Sequence, residues 1–130
     1  MTDIIIQAYQ VLEEIKKSPH YHTINTLNQA IPEQHPDLVE AFQIAKQDYE
    51  TIMAQGGRHH PDFKETVKRL SMAKTHLHQQ DMVKRYLAAE QAFETEINTF
   101  LHALAGAVSP HIKTPDKWGI IHKGGSCHVR

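Results

Sequence analysis

Eleven histidines and a single cysteine stand in a chain of 130 residues, so metal coordination is the first chemistry its residue types raise. A helical metal site needs two ligands on one face, three or four residues apart. His20 and His22 are separated by one residue, His59 and His60 are adjacent, and His76 and His78 are again separated by one. Such spacings point the side chains to different sides of a helix and read as surface or capping histidines. The C-terminal segment is a better source of ligands, because His122, Cys127 and His128 bring imidazole and thiolate donors within reach of one ion. Three donors are one short of a closed structural zinc site. A fourth would come from His111 or from another chain, and the Gly124-Gly125 run does nothing to pre-order the loop. On this reading the chain is a metal- or redox-responsive binding protein.

The same residues give little to catalysis. Cys127 has His128 as its neighbour, but adjacency does not preorganise an attack, and no glycine-rich turn opening a helix supplies an oxyanion hole. Gly56-Gly57 and Gly124-Gly125 lack the glycine and lysine spacing of a phosphate-binding loop. The sequence therefore reads as that of a non-enzyme. Lys64, Lys68, Arg69, Lys74, Lys84 and Arg85 form a basic cluster that RNA could use, yet no recognition helix or RNA-binding module accompanies them, and direct nucleic-acid binding is not expected. Trp118, the sole tryptophan, is of a type that often anchors a partner. It could equally fold back over the chain's own helices.

The elements that position these residues follow from apolar periodicity and punctuation. Ile5, Ala8, Leu12 and Ile15 recur at three and four, which predicts a first helix from Thr2 to Lys17, ending near Ser18-Pro19. A shorter second helix is expected from about Tyr21 to Ile31, interrupted by Pro32. His35-Pro36-Asp37 suits a helix start, and Leu38, Phe42, Ala45, Tyr49 and Ile52 then form a coiled-coil-like seam up to Gln55-Gly56-Gly57. His60-Pro61-Asp62 repeats the opening, so a fourth helix is expected from Pro61 to about Leu77, with Phe63, Val67, Leu70 and Leu77 inward. The fifth and longest is expected from Asp81, a possible cap, to Val108. Tyr86, Phe93, Phe100 and Ala107 make one row, Val83, Ile97 and Leu104 another, and Glu90 occupies a seam position.

No sustained alternation marks a strand. The predicted fold is all-α: an antiparallel bundle of about five helices with long hairpins over residues 1–109, and an irregular C-terminal tail over 110–130. Surplus apolar seam points to protein partners and a homo-oligomer. Tyr86, Phe93, Ile97, Phe100 and Trp118 are the candidate partner-binding residues. Apolar runs such as Ile4-Ile5-Ile6 are too short for membrane insertion, and the N-terminus lacks the pattern of a secretory signal, so a cytoplasmic protein is expected. A lone cysteine makes no internal disulfide. Charge is uneven along the sequence: residues up to Glu65 carry ten acidic and five basic side chains, and the remainder five and nine. Such asymmetry can support association.

Several stretches together resemble one family. They are His60-Pro61-Asp62-Phe63 at a helix start, the long helix through Glu90 and Phe93, then Ala107-Val108-Ser109-Pro110-His111-Ile112-Lys113 leading into Pro115, and finally Gly124-Gly125-Ser126-Cys127. In this order they resemble the YlbF/YmcA family, closer to its YlbF branch. The resemblance implies a helical cytoplasmic regulator of competence, sporulation and biofilm formation in Gram-positive bacteria. It further implies a complex with YmcA-like and YaaT-like proteins that influences RNA processing by ribonuclease Y. Iron–sulfur clusters go with that complex, through cysteines of the C-terminal tails. Here the chain departs from the pattern, because Cys127 is its only cysteine. One thiolate cannot hold a four-cysteine cluster. Partner chains would supply the other ligands, with His122 or His128 as substitutes.

Overall fold

The computed structural model describes residues 1–115, and everything placed beyond them, including Trp118, His122, Cys127 and His128, lies outside the described residues. Five α-helices account for most of the chain: α1 (Thr2–Lys16), α2 (Pro19–Gln34), α3 (Pro36–Gln55), α4 (Phe63–His78) and α5 (Asp81–Val108). A single 3-10 turn, Gly57–His59, precedes α4, and no strand occurs among the described residues. The fold class is thus the all-α one that the periodicity predicts.

Local chemistry explains most of the boundaries. α3 begins on Pro36, whose fixed φ and missing N–H suit the first helical position. It ends at Gly56, whose N–H donates to the Ile52 carbonyl, and Gly57 then adopts φ 59°, the left-handed region where only glycine is unstrained. The second His-Pro-Asp does not repeat the first. Pro61 and Asp62 lie in a turn, closed by the Phe63 N–H donating to the His60 carbonyl at 3.1 Å, and α4 starts two residues later than expected. The reason is the His60 ring, whose Nδ1 accepts the Asp62 N–H at 3.1 Å and holds the turn open before the helix.

α2 also differs from expectation. It starts on Pro19 and runs through Pro32 to Gln34, because a proline one turn from a helix end forfeits a single hydrogen bond where the ladder is already ending. Between α4 and α5 the chain turns at Gln79-Gln80. Gln80, not Asp81, takes the cap position, its carbonyl accepting the Lys84 N–H at 3.0 Å, while Asp81 lies in the first turn of α5.

Two compact units divide the chain. One is His22–Ala88; the other combines Met1–Tyr21 with residues from Ala89 onward. The division falls inside α2 and α5. It also dissolves the charge asymmetry of the linear sequence, since His22–Ala88 carries eight acidic and eight basic side chains.

In the unit His22–Ala88, α3 packs antiparallel on α4. Ala45 is buried on α3, with Leu38, Phe42, Tyr49 and Ile52 half-buried beside it, as the seam predicts. On α4 the inward row is Phe63, Thr66, Leu70, Ala73 and Leu77. Thr66, at 1% exposure, is the most buried side chain described, and Val67 is exposed. Val67 was expected inside because it too lies one turn from Phe63. The α3 crossing sets the phase one residue earlier, where small side chains let the helices approach. Tyr49 and Phe63 meet with ring centroids 6.4 Å apart, and Arg69 pairs with Asp48 at 3.3 Å.

Candidate interaction surface

The unit that joins α1 to the C-terminal part of α5 is built differently. α1 has an apolar side rich in isoleucine and a good helical period, yet none of its residues is buried. Ile4 is 68% exposed and Tyr9 65%, with Ile5, Ile6, Val11 and Leu12 also exposed. On α5 the apolar row continues outward in the same way: Phe100, Leu101, Leu104 and Val108 are all exposed, Val108 at 73%. Isolated exposed apolar residues need no explanation, but a contiguous set on this scale marks a surface that functions by being covered.

The corner where α1 passes into α2 is fixed by two contacts to α5. Ser18 is buried and donates its hydroxyl proton to Glu96 Oε2 at 2.8 Å, and Tyr21 packs on Phe93 with ring centroids 5.8 Å apart. Beyond this corner α1 and α5 leave an open cleft of about 950 Å³. Val11, Ile15, Ile97 and Phe100 form its apolar lining, and Gln7, Gln10, Glu14 and Glu96 its polar edge. Ala89 and Asn98 are buried on α5, whereas Glu90, expected in the seam, is exposed. The seam is displaced by one residue there, so a charge sits in solvent and alanine takes the buried position.

After Val108 the chain turns through Ser109-Pro110-His111 without helix or strand. The Ser109 Oγ accepts the His111 N–H at 3.3 Å, and Thr114 Oγ1 meets His102 Nδ1 at 2.9 Å. Thr114 of the expected tail is therefore tied back to α5 through His102.

The residues singled out from sequence separate on this structure. Ile97 and Phe100 come together in the α1–α5 cleft, and Phe93 is half-buried against Tyr21. Tyr86 belongs to the other unit, where it lines a smaller apolar recess of about 300 Å³ with Ile31, Val39, Leu77 and Val83. The exposed face of α1 was not singled out as a partner surface. Its residues read as core, and their periodicity alone does not say that nothing covers them.

For metal chemistry the described residues offer no group of three histidine, cysteine, aspartate or glutamate side chains that could hold an ion. Cys127, the only thiol, His122 and His128 fall outside them, and a donor set with one cysteine does not fit a cluster held by this chain alone. The basic cluster is also divided. Lys64 and Lys68 share a side of α4, Lys74 lies on another, and Arg69 is engaged with Asp48. No described helix is long and apolar enough to cross a membrane.

A strand-free array of amphipathic helices, one of them laid bare along its apolar side, is the architecture of an all-α bundle protein with unfilled seams. The chain belongs to the family described as control of competence regulator ComK, YlbF/YmcA, whose model matches residues 4–109. Among curated proteins it is similar to regulatory protein YlbF of Bacillus subtilis, 27% identical over 94 residues, which is 69% of this chain and 62% of that protein. The match thus spans less than two thirds of the relative's length. Among solved structures it is similar to the crystal structure of Bacillus subtilis RicA in complex with RicF, with a TM-score of 0.70 at 23% identity, covering 86% of this chain and 98% of that one.

Proposed function

We propose that this protein is a non-catalytic regulatory adaptor, which acts by offering the uncovered apolar face of α1 and α5 to other proteins. The observation that carries this reading is that no residue of α1 is buried within its own chain, Ile15 alone being half-buried. A folded chain gains nothing from leaving about ten large apolar side chains in water. A partner that covers them recovers that free energy as binding. The similarity to a chain crystallised in a two-protein complex supports the same direction.

In family terms the partners are a YmcA-like and a YaaT-like protein. The assembled complex modulates RNA processing by ribonuclease Y and, through it, competence, sporulation and biofilm formation in the cytoplasm. An iron–sulfur cluster, where the complex has one, takes Cys127 as at most one ligand and draws the rest from partner chains. The experiment is purification of the native complex from its host under anaerobic conditions, with partners read by mass spectrometry and the visible absorption spectrum recorded. Copurification of YmcA-like and YaaT-like proteins is the expected result, and a protein that emerges alone and colourless would overturn the reading.

A further inference from the structure

From Met1 to Ile15 and from Tyr86 to Ile112 the sequence has no lysine or arginine. Asp3, Glu13, Glu14, Glu90, Glu94 and Glu96 all fall in these stretches, and all six are exposed. The uncovered surface of α1 and α5 is therefore apolar and acidic together. At the end of α1, Lys16 and Lys17 are engaged by Glu13 at 3.3 Å and Glu14 at 2.7 Å.

Within the cleft the two carboxylates come from facing helices, Glu14 from α1 and Glu96 from α5. Glu96 is fixed by the buried Ser18 hydroxyl on Oε2, which leaves Oε1 uncommitted among the described residues. Among the described residues Glu14 is held by Lys17 in an exposed pair, a type of contact that another cation can replace at little cost. Between them lie the apolar walls Val11, Ile15, Ile97 and Phe100. A long cationic side chain suits such a place, since its methylene stem packs on apolar walls while its head meets carboxylate.

We propose that the α1–α5 cleft seats a partner helix that presents an arginine or lysine in the middle of an apolar stripe, with Glu14 and Glu96 receiving the cation. This deepens the adaptor reading and rests on it. The occupant differs in sequence from this chain. A second copy that set the same cleft against itself would juxtapose Glu14 and Glu96 with their own copies, with no lysine or arginine in the cleft lining to meet them, and like charges at an interface select against that pairing. Apolar contact supplies affinity, and the acidic pair supplies the choice of mate.

The test uses the full chain and two synthetic helical peptides of about 18 residues, long enough to hold a helix with stabilising caps. Both carry leucine at i, i+3 and i+7, and they differ only in a central arginine or glutamine on that stripe. Binding is followed by fluorescence anisotropy at low and high salt, for the wild type and for Glu14→Gln/Glu96→Gln. Glutamine at 96 retains an oxygen for the Ser18 proton, and circular dichroism checks that the helices persist. The arginine peptide is expected to bind the wild type about two- to fivefold more tightly than the glutamine peptide. That preference should vanish in the double variant and at about 0.5 M salt. Equal binding of the two peptides, binding of neither, or a preference that survives the double substitution overturns the proposal. So does a wild-type dimer in sedimentation that Phe100→Asp dissociates, because a second copy then fills the cleft. Failure of the adaptor reading is seen separately: native purification without partners removes it even if the peptides are discriminated, whereas partners that copurify while the peptides are not discriminated remove this inference alone.

Discussion

Ser18 and Thr66 are the two buried hydroxyls whose surroundings differ most. Ser18 gives its proton to Glu96 and so holds the α1–α2 corner against α5. Ser18→Ala leaves that carboxylate oxygen without its donor, and a hydrogen bond to a charged group is worth about 1.5–3 kcal/mol, less where solvent reaches it. A loss of about 1 kcal/mol in urea unfolding is expected for this part-exposed pair. Thr66 Oγ1 is buried with no hydrogen-bond partner among the described residues. Thr66→Val keeps the shape and removes the unsatisfied group, so it should stabilise the protein by about 1 kcal/mol. An unchanged or lower midpoint would mean that the hydroxyl has a partner in solution, such as a water. Neither role was legible in the sequence, because a serine before proline reads as punctuation and a threonine in a helix as surface.

At the scale of elements, the turn from α3 to α4 depends on two glycines. Gly57 sits at φ 59°, and a methyl group there would lie 3.9 Å from Met53, an ordinary contact. The cost of Gly57→Ala is therefore the backbone cost of the left-handed region, about 1 kcal/mol. Gly56, at φ 156° and ψ −5°, occupies a region harder for other residues, and Gly56→Ala should cost about 1–3 kcal/mol in the same unfolding assay. Glycine as a helix stop was readable from sequence; which of the two would be the more demanding was not. The end of α1 carries a pH dependence. Hydrogen bonding and charge from Glu14 raise the Lys17 pKa above 10.5. Its contribution is thus complete below that value and fades as pH rises through the higher folded one, which circular dichroism of the α1 helix signal would follow as a decline confined to strongly alkaline solution.

For the molecule as a whole, the uncovered face separates stability from assembly. Ile4→Asp or Val108→Asp changes a side chain that lies mostly in water, at 68% and 73% exposure, so unfolding free energy should move by no more than about 0.5 kcal/mol. Assembly should be lost, because the new charge would have to be buried against a partner's apolar stripe. Urea titration and sedimentation of the native complex read the two effects independently. A variant that unfolds easily would show that the chain covers this face itself.

The sequence by itself determined five helices, most of their ends and the seam of α3, because helical periodicity, proline and glycine act within a few residues of chain. The resemblance to YlbF/YmcA proteins was likewise legible, and the family match over residues 4–109 bears it out. Only tertiary structure decided that Thr66 and not Val67 turns inward, that Ala89 replaces Glu90 in the seam, and that Ile4, Ile5 and Ile6 of α1 stay exposed. Each of these depends on what crosses the helix from a distant part of the chain. An apolar stripe is the same string of residues whether another helix lies on it or solvent does, and that difference is what turns a core into a surface for partners.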